Sequence, residues 1–457
     1  MFQFDSTIFH PTQGVYIVGG SVRDLLLKKM PTDYDICVLG NPENYANRLA
    51  AGTKGHQVKI GKSGQMIIRV TSGSHIFDIS PATGTCIEDD LRQRDFTVNA
   101  MAYDLSSGKI IDVLGGLRDL DKKIIRSVSK QVFRKDPVRL IRAFRIAAGL
   151  DFEIDPGTIS TITRDAALIK KTAGERIRAE LFKMLSTRKS HYYLCHMADT
   201  GLLAAIFPEL DPLKGCFQNR YHRYDAFEHS IRAYYHLEAM LSGRDKLTDK
   251  TLRRIITEFD PDKAMLLKCA ILLHDIGKPA VKSIDNLGNV HFHGHARKGA
   301  DMAITISKRL KFSTRARDFI DFIIRNHIRP LSLFIAHQNQ TLTPRGITRF
   351  FMKCGDNTPY LLLHTIADAQ GKQNKTNAKN NALIAFAKAR MCDFFSGFSP
   401  KSKTAPLITG YDLMHEFGLS PSPLFKKILK LVEEARLSNA IHSKPAALKL
   451  VREFLKK

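Results

Sequence analysis

The hydrophobic pattern changes period once, near residue 125, and that change restricts the chain to a mixed N-terminal domain followed by a helical remainder. Residues 14–125 carry short runs rich in Val and Ile (GVYIVGG, YDICVLG, QMIIRV, HIFDIS) separated by turn residues. This is the pattern of strands with one or two helices between them. From about residue 126 such runs stop, and apolar residues recur at three- and four-residue spacing, as in VRLIRAFRIAAGL and KAMLLKCAILLHDIG, which predicts helices. The expected class is an α+β domain followed by all-α regions. The chain has 457 residues, enough at roughly 150 per domain for about three units that each bury a core. Boundaries near 125, 215 and 380 divide it into 1–125, 126–215, 216–380 and 381–457. Helix breaks are expected at Phe207-Pro208 to Arg223, Asp285 to Val290, Arg329 to Leu333, and 397–406.

Charge narrows the partners. Seventy Lys and Arg against 45 Asp and Glu leave a formal charge of +25, which points to a polyanion, either nucleic acid or an anionic membrane surface. The basic residues spread along the chain instead of forming one polybasic anchor, which ranks the membrane last. No run of eighteen apolar residues occurs, so no bilayer-spanning helix is expected. The opening MFQFDSTIFHPTQG lacks the basic and apolar regions of a secretory signal, so a cytoplasmic location is expected. Seven cysteines with no CxxC pair fit reduced thiols. The tail after 424 (LFKKILKLVEEARL, KLVREFLKK) is basic and amphipathic; it fits a solvated helix face and an RNA-contacting one equally.

The N-terminal domain holds the first chemical constellation. GVYIVGGSVRDLLL reads as a strand, a Gly19-Gly20 turn and a helix opened by Ser21, a junction that suits phosphate but also occurs for steric reasons alone. Arg23 and Asp24 on the first turn favour a clamped triphosphate. In MPTDYDICVLG, Asp33 and Asp35 are two apart on a strand and project to one face; outside a strand the same DxD would be a solvated turn. Two like charges held together demand a cation, and HIFDIS supplies a third carboxylate, Asp78. Three carboxylates beside a phosphate cradle can hold two divalent ions that activate a hydroxyl and stabilise a leaving pyrophosphate, the chemistry of nucleotidyl transfer.

GGSVRDLLLKKMPTDYDICV, LRQRDFTVNAMAYDL, IDVLGGLRDLDKKIIR, DPVRLIRAFRIAAGLDFEI and ERIRAEL, in that order over residues 14–181, resemble the class II tRNA nucleotidyltransferase and bacterial poly(A) polymerase family of the polymerase-β superfamily. The resemblance implies a polymerase-β-like nucleotidyltransferase domain, magnesium ions on Asp33 and Asp35, triphosphate contacts from Gly20 and Arg23, and Arg94 and Asp95 near the ribose. Asp136-Pro137 reads as an N-cap and first-turn pair, after which Arg139, Arg142 and Arg145 repeat every three residues. A carboxylate accepting from a base amino group and an arginine donating to a ring nitrogen or carbonyl would read a base edge. The family's matching Asp and Arg select the base, which carries that role to Asp136 and Arg139 and leaves Arg142 and Arg145 for phosphate. Lys135 stands where the family usually has Glu, and Gln93 where it usually has a second Arg; both departures bear on base preference.

The helical region holds the second constellation. His229 lies in DAFEHSIRAYYHLEA, His274-Asp275 in AILLHDIGKP, His295 in HFHGHARKGA, His327 in IIRNHIRP and Asp368 in HTIADAQGK. A lone helical histidine is usually packed or solvated, but an adjacent His-Asp ending an apolar helix leaves two half-buried polar groups that each need a partner. A metal satisfies both, and with His229 and Asp368 the donor set suits Mn, Fe, Ni or Mg. Residues 220–370 resemble an HD phosphohydrolase domain. The resemblance implies His229, His274, Asp275 and Asp368 as ligands, His295 and His327 as second-metal or phosphate contacts, and Lys278 as a phosphate contact; Ala296 departs from the acidic residue often found there. Beyond 405, PLITGYDLMHEFGLSPSPLFKKILKLVEEARL is similar to the closing segment of HD-bearing family members, with Ser420-Pro421-Ser422 in place of Pro-Gly.

The expected function is an RNA 3′-end nucleotidyltransferase that adds CMP and/or AMP, from CTP and ATP, to tRNA. Mg²⁺ is expected in its first site, and an appended phosphohydrolase using Ni²⁺ or Mn²⁺ in its second. The alternatives are a poly(A) polymerase, and an HD phosphohydrolase with an inactive RNA-binding N-terminal module. The presence of both Asp33 and Asp35 ranks the latter lower. No membrane and no protein partner is expected.

Overall fold

The structure, a computed structural model, describes residues 8–61, 66–217, 224–245, 249–372 and 378–456, which fall into two units, Met1–Pro208 and Glu209–Lys457. In the first, β1 (Val15–Val18), β2 (Asp33–Val38), β3 (His56–Ile60), β4 (Ile67–Ser72), β5 (His75–Pro81), β6 (Ala102–Asp104) and β7 (Ile110–Ile111) form one sheet in the order β3-β4-β5-β2-β1-β6-β7. β2 and β5 pair in parallel and the remaining neighbours are antiparallel.

Strand alternation divides the central pair into two faces. Tyr34 pairs with Phe77, and their rings stack at 5.5 Å in the core. On the opposite face Asp35 pairs with Asp78, while further along that face Val18 and Cys37 pack under Ile87 and Leu91. The 14–125 segment holds more helix than the one or two expected: four α-helices and a 3-10 turn lie between its strands. Short helices such as Ile87–Leu91 lack a full amphipathic repeat, so periodicity does not reveal them.

Past the sheet, α2 (Arg139–Leu150) buries Leu140, Ile141, Phe144 and Ile146, while Arg139, Arg142 and Arg145 share another face. α3 (Gly174–Leu185) packs on it. The preceding helix α1 (Gly20–Leu26) opens the strand-turn-helix junction. The expected helical region also keeps small strands, Ile124–Ile125 paired with Glu153–Ile154 and Ser283–Ile284 paired with Val290–His291.

The second unit wraps helices around one almost wholly apolar element. α5 (Pro261–Leu273) is capped by Asp260, whose side chain accepts from the Asp262 and Lys263 amides, and is buried without interruption from Met265 to Leu273. α4 (Ala226–Leu241) and α10 (Thr358–Gly371) pack on it and on each other. α6 (His295–Arg309) and α7 (Thr314–Asn326) pack together, and α7 also meets α5. Gly277 permits the approach of α6, because a Cβ there would lie 2.3 Å from the His295 carbonyl oxygen. The expected break at Arg329 to Leu333 is instead the start of helix α8 (Arg329–Gln338). Pro330 occupies its first turn, where no N–H is needed. α9 (Pro344–Cys354), α11 (Pro423–Leu437) and α12 (Lys444–Leu455) follow. The C-terminal helices close on their own core of Ile408, Leu413, Ile428, Val432, Ala447 and Val451.

Candidate active sites

In the first unit a cavity of about 320 Å³ opens where β1 meets α1, lined by Gly19, Gly20, Arg23, Asp35, Arg94, Asp95, Asn99, Arg139, Arg142 and Arg145. Gly19 has φ +72°, and a Cβ on it would lie 2.9 Å from Arg94 Nη1 and 3.2 Å from Asp35 Oδ2, so only glycine lets the turn approach both groups. Ser21 does not cap the helix. Its hydroxyl donates to the Asp33 carbonyl at 3.0 Å and accepts from the Asp35 amide at 3.1 Å, which ties the DxD strand to α1. Crowding of protein around the Asp35 carboxyl raises its pKa; Arg94 opposes the shift, and the charges of Asp78, Asp33 and Asp95 add to it. A carboxyl destabilised by three like charges is what a divalent cation would relieve. Asp78 is held by Arg69 through two hydrogen bonds of 2.7 and 2.8 Å.

The cations of the cavity are themselves positioned. Arg23 donates to Asn99 Oδ1 at 2.6 Å, the Asn99 amide donates to Asp95 at 3.1 Å, and Asp95 accepts from Arg142 at 3.3 Å. Arg142 and Arg145 both pair with Glu180 of α3, and Arg94 pairs with Asp90 at 2.9 Å. Arg139 donates to the backbone carbonyls of Gln93 and Arg94. Asp136 ends the preceding short helix Val132–Lys135 and does not cap α2; its carboxylate pairs with Arg176 at 2.8 Å. The stronger charge-assisted partner on α3 outcompetes the first-turn amides.

The second unit brings its titratable residues together at the inner end of α5, beside a cavity of about 360 Å³ that includes Lys278, Asp275 and Asp368 in its lining. His229, His274 and Asp368 present three ligand atoms to one point, and Asp275, His295 and His327 present three to another. His229 Nε2 stands 2.8 Å from Asp368 Oδ1, and His274 Nε2 3.1 Å from Asp275 Oδ2. Lys278 donates to Asp275 at 2.6 Å, and Lys372 pairs with Asp368 at 2.9 Å.

The ring orientations suit a metal. His274, His295 and His327 each place Nδ1 against a backbone carbonyl, of Ile271, Phe292 and Ile324, at 2.6–2.8 Å. This arrangement fixes Nδ1–H as the donor and turns the Nε2 lone pair inward, as in metal-ligating histidines. Burial pushes His327 down to about 3, so it stays neutral. Burial also opposes charging of His274, yet Asp275 and Asp368 hold it up to about 9. Without a cation, a proton on His274 Nε2 adds to the positive charge that Lys278 and Lys372 set against Asp275 and Asp368. The donor set fits one or two divalent ions.

The structure thus gathers most of the expected site residues into two clusters. Asp33, Asp78 and Asp136 are not among the side chains lining the first cavity, although Asp33 and Asp78 are close enough to act on Asp35. Sequence reasoning missed Asn99, Asp90, Glu180, Arg69 and Lys372, which act as partners of the expected residues. Asn99 lies within the quoted LRQRDFTVNAM string and was the most accessible of them. His364, fully buried with both ring nitrogens unpartnered among the described residues and its ring 5.1 Å from His274, was also missed.

Comparison with known proteins identifies the domains in which the two clusters lie. Residues 15–85 and 80–126 match the poly A polymerase head domain, residues 151–214 the probable RNA and SrmB-binding site of polymerase A, and residues 226–369 the HD domain. An A-adding tRNA nucleotidyltransferase of Deinococcus radiodurans is 30% identical over 448 residues, covering 96% of this chain and 95% of that protein. A CC-adding tRNA nucleotidyltransferase of Thermus thermophilus is 26% identical, covering 96% and 93%. Among solved structures, a CCA-adding enzyme with CTP superposes with a TM-score of 0.67 at 20% identity, covering 97% of this chain and 91% of that one. The Thermotoga maritima CCA-adding enzyme complexed with tRNA gives 0.63, covering 96% and 91%.

Proposed function

The chain belongs to the tRNA nucleotidyltransferase family, and from that membership we propose that it adds CMP and/or AMP to the 3′ end of tRNA, using CTP and ATP as donors. The observation that carries this reading is the first cavity, where the Asp35 carboxyl meets five arginines. Asp33 and Asp35 would hold Mg²⁺, which supplies polarisation of the attacking hydroxyl and neutralises charge on the departing pyrophosphate. Asp78 adds negative charge behind that pair. Arg23 and Arg94, steadied by Asn99 and Asp90, bind the triphosphate beside Gly19 and Gly20, and Asp95 lies on the ribose side. Arg142 and Arg145, held by Glu180, complete the cationic wall. Arg139 and Asp136 read the base edge, Arg139 from within the cavity and Asp136 from the adjoining turn.

A second reading concerns the other unit, favoured by the inward Nε2 atoms of three histidines. His229, His274, Asp275 and Asp368 would hold a divalent transition metal such as Ni²⁺ or Mn²⁺, and His295 and His327 would hold, with Asp275, a second metal or, by themselves, the substrate phosphate; the metal supplies a bound water of lowered pKa. Lys278 and Lys372 orient their carboxylates and offer positive charge to a phosphoester. The substrate class is a small phosphoester such as a 2′,3′-cyclic phosphate. No helix among the described residues is long and apolar enough to cross a membrane, and a cytoplasmic place follows from the tRNA substrate.

The deciding experiment offers the protein tRNA lacking the whole CCA end, tRNA lacking only the final A, and a generic oligo-RNA, each with CTP or ATP alone, and sizes the products. Addition of one to three residues to tRNA ends supports the reading. Long A tracts on the generic RNA would replace it with a poly(A) polymerase.

A further inference from the structure

His364 lies on α10, is fully buried, and has no hydrogen-bond partner for either ring nitrogen among the described residues. A neutral imidazole carries one N–H donor and one lone pair, and leaving such groups unpaired away from water is costly. Burial holds the ring well below its ordinary pKa, so the lone pair stays available.

The ring stands where the two donor groups of the second site meet. Its centre is 5.1 Å from that of His274, in the first group, and 5.7 Å from that of His327, in the second. His364 also precedes Asp368 by four residues, so the two side chains leave one face of α10 a turn apart. Two imidazoles on one ion, each with a nitrogen about 2.1 Å from it and about 90–110° between them, have ring centres about 4.6–5.3 Å apart. His229 and His274 are 5.3 Å apart by this measure. The spacing of His274 and His364 falls in the same range.

His364 is outside the group in which His229, His274 and Asp368 already converge, so ligation requires its ring to turn. Rotation about χ2, which is broad for histidine, chooses the nitrogen presented without moving α10. A buried water is the other partner that could satisfy the ring, but it needs about two to four polar atoms. The Nδ1 atoms of His274 and His327 are committed to the Ile271 and Ile324 carbonyls, and the Thr365 hydroxyl donates to the Leu361 carbonyl. A metal ion asks only for the lone pair.

We propose that His364 is a further nitrogen ligand of the metal in the second site, and that it biases the site toward Ni²⁺ over Mn²⁺. The inference rests on the reading of that cluster as a metal site. Imidazole suits Ni²⁺ better than the harder Mn²⁺, so an added nitrogen widens the difference between them.

The test uses the full chain carrying His364→Leu, which removes the imidazole and keeps an apolar side chain at the same place. If that variant does not fold, His364→Gln replaces it. Calorimetry gives the Ni²⁺ and Mn²⁺ affinities, and the visible spectrum of the Co²⁺-loaded protein reports the ligands. Losing an outer partner of a metal ligand costs about 10–100-fold in affinity. Losing a ligand should therefore weaken Ni²⁺ by about a hundredfold or more and Mn²⁺ by about tenfold or less, and change the Co²⁺ spectrum. With a chelator present His364→Leu should melt above wild type, because it no longer buries two unpaired polar atoms; with Ni²⁺ it should melt below. A folded variant with wild-type Ni²⁺ affinity and Co²⁺ spectrum would overturn the ligand, as would an equal loss for Ni²⁺ and Mn²⁺, which a packing role predicts. A wild type that binds none of the three metals would instead overturn the parent reading, so the two failures are distinct.

Discussion

His295 Nε2 and His327 Nε2 face each other at 3.2 Å, while the Nδ1 atoms of both rings are committed to backbone carbonyls. Two lone pairs at that distance repel unless a cation or a proton lies between them, and His327 resists protonation. The pair is thus a strained arrangement that a metal would relieve.

Metal should stabilise the second unit. At a hundredfold excess over the dissociation constant, Ni²⁺ or Mn²⁺ contributes about 2.7 kcal/mol, which raises the melting temperature of a unit this size by about 5–10 °C. Chelation should reverse the shift, and Asp275→Ala should abolish it together with hydrolysis of a 2′,3′-cyclic nucleotide. Ligation requires His274 to give up the proton that it holds up to about 9, so metal affinity should rise between pH 6 and 9. Calorimetry across that range checks the sign.

Asp35→Ala should lower kcat for nucleotide addition by about a thousandfold or more, the loss of roughly 4 kcal/mol of transition-state stabilisation. RNA affinity should change little, because the basic surface is untouched. Single-turnover kinetics with a filter-binding control separate the two effects, and Asp33→Ala should behave alike.

Gly19→Ala should impair the same step without removing any functional group. Its φ of +72° costs an L-residue about 1–2 kcal/mol, and the new methyl would displace Arg94 from beside Asp35. A thermal shift of a few degrees with a larger fall in activity is expected. Wild-type activity in Gly19→Ala would show that Arg94 need not stand there.

Arg139→Ala should remove a base-edge donor worth about 1–3 kcal/mol, lowering the preference for CTP and ATP over UTP and GTP. The guanidinium also rests on the Gln93 and Arg94 carbonyls, so some fall in rate accompanies it. Competition assays with all four triphosphates give the profile.

The C-terminal helices should lose stability in acid. Asp412 accepts from the amide and hydroxyl of Thr409 and from Lys444, and the Lys444 hydrogen bond leads in holding its pKa down to about 2. A depressed carboxylate contributes stability above its unfolded value of about 4 that disappears as pH falls toward 2. Asp412→Asn should therefore melt lower than wild type at pH 7, with the gap closing below pH 3.

The two periods of the hydrophobic pattern determined the architecture, since alternation and three-to-four spacing are local consequences of strand and helix geometry. Short motifs pointed to the candidate groups: Asp33 and Asp35 share a sheet face by strand parity, and the His274-Asp275 pair is placed by the apolar helix before it, whereas the pairing of Asp35 with Asp78 came from the register of two strands. Partnership lay beyond local pattern. Whether Asp136 caps a helix or pairs with Arg176, whether Ser21 opens α1 or ties down β2, and that Glu180 would hold two arginines were decided by residues 12 to 40 positions apart. Such pairings depend on which chains tertiary packing brings within hydrogen-bond distance, and no periodicity encodes that distance. The facing lone pairs of His295 and His327 are the extreme case, because only the fold sets two nitrogens 32 residues apart against each other.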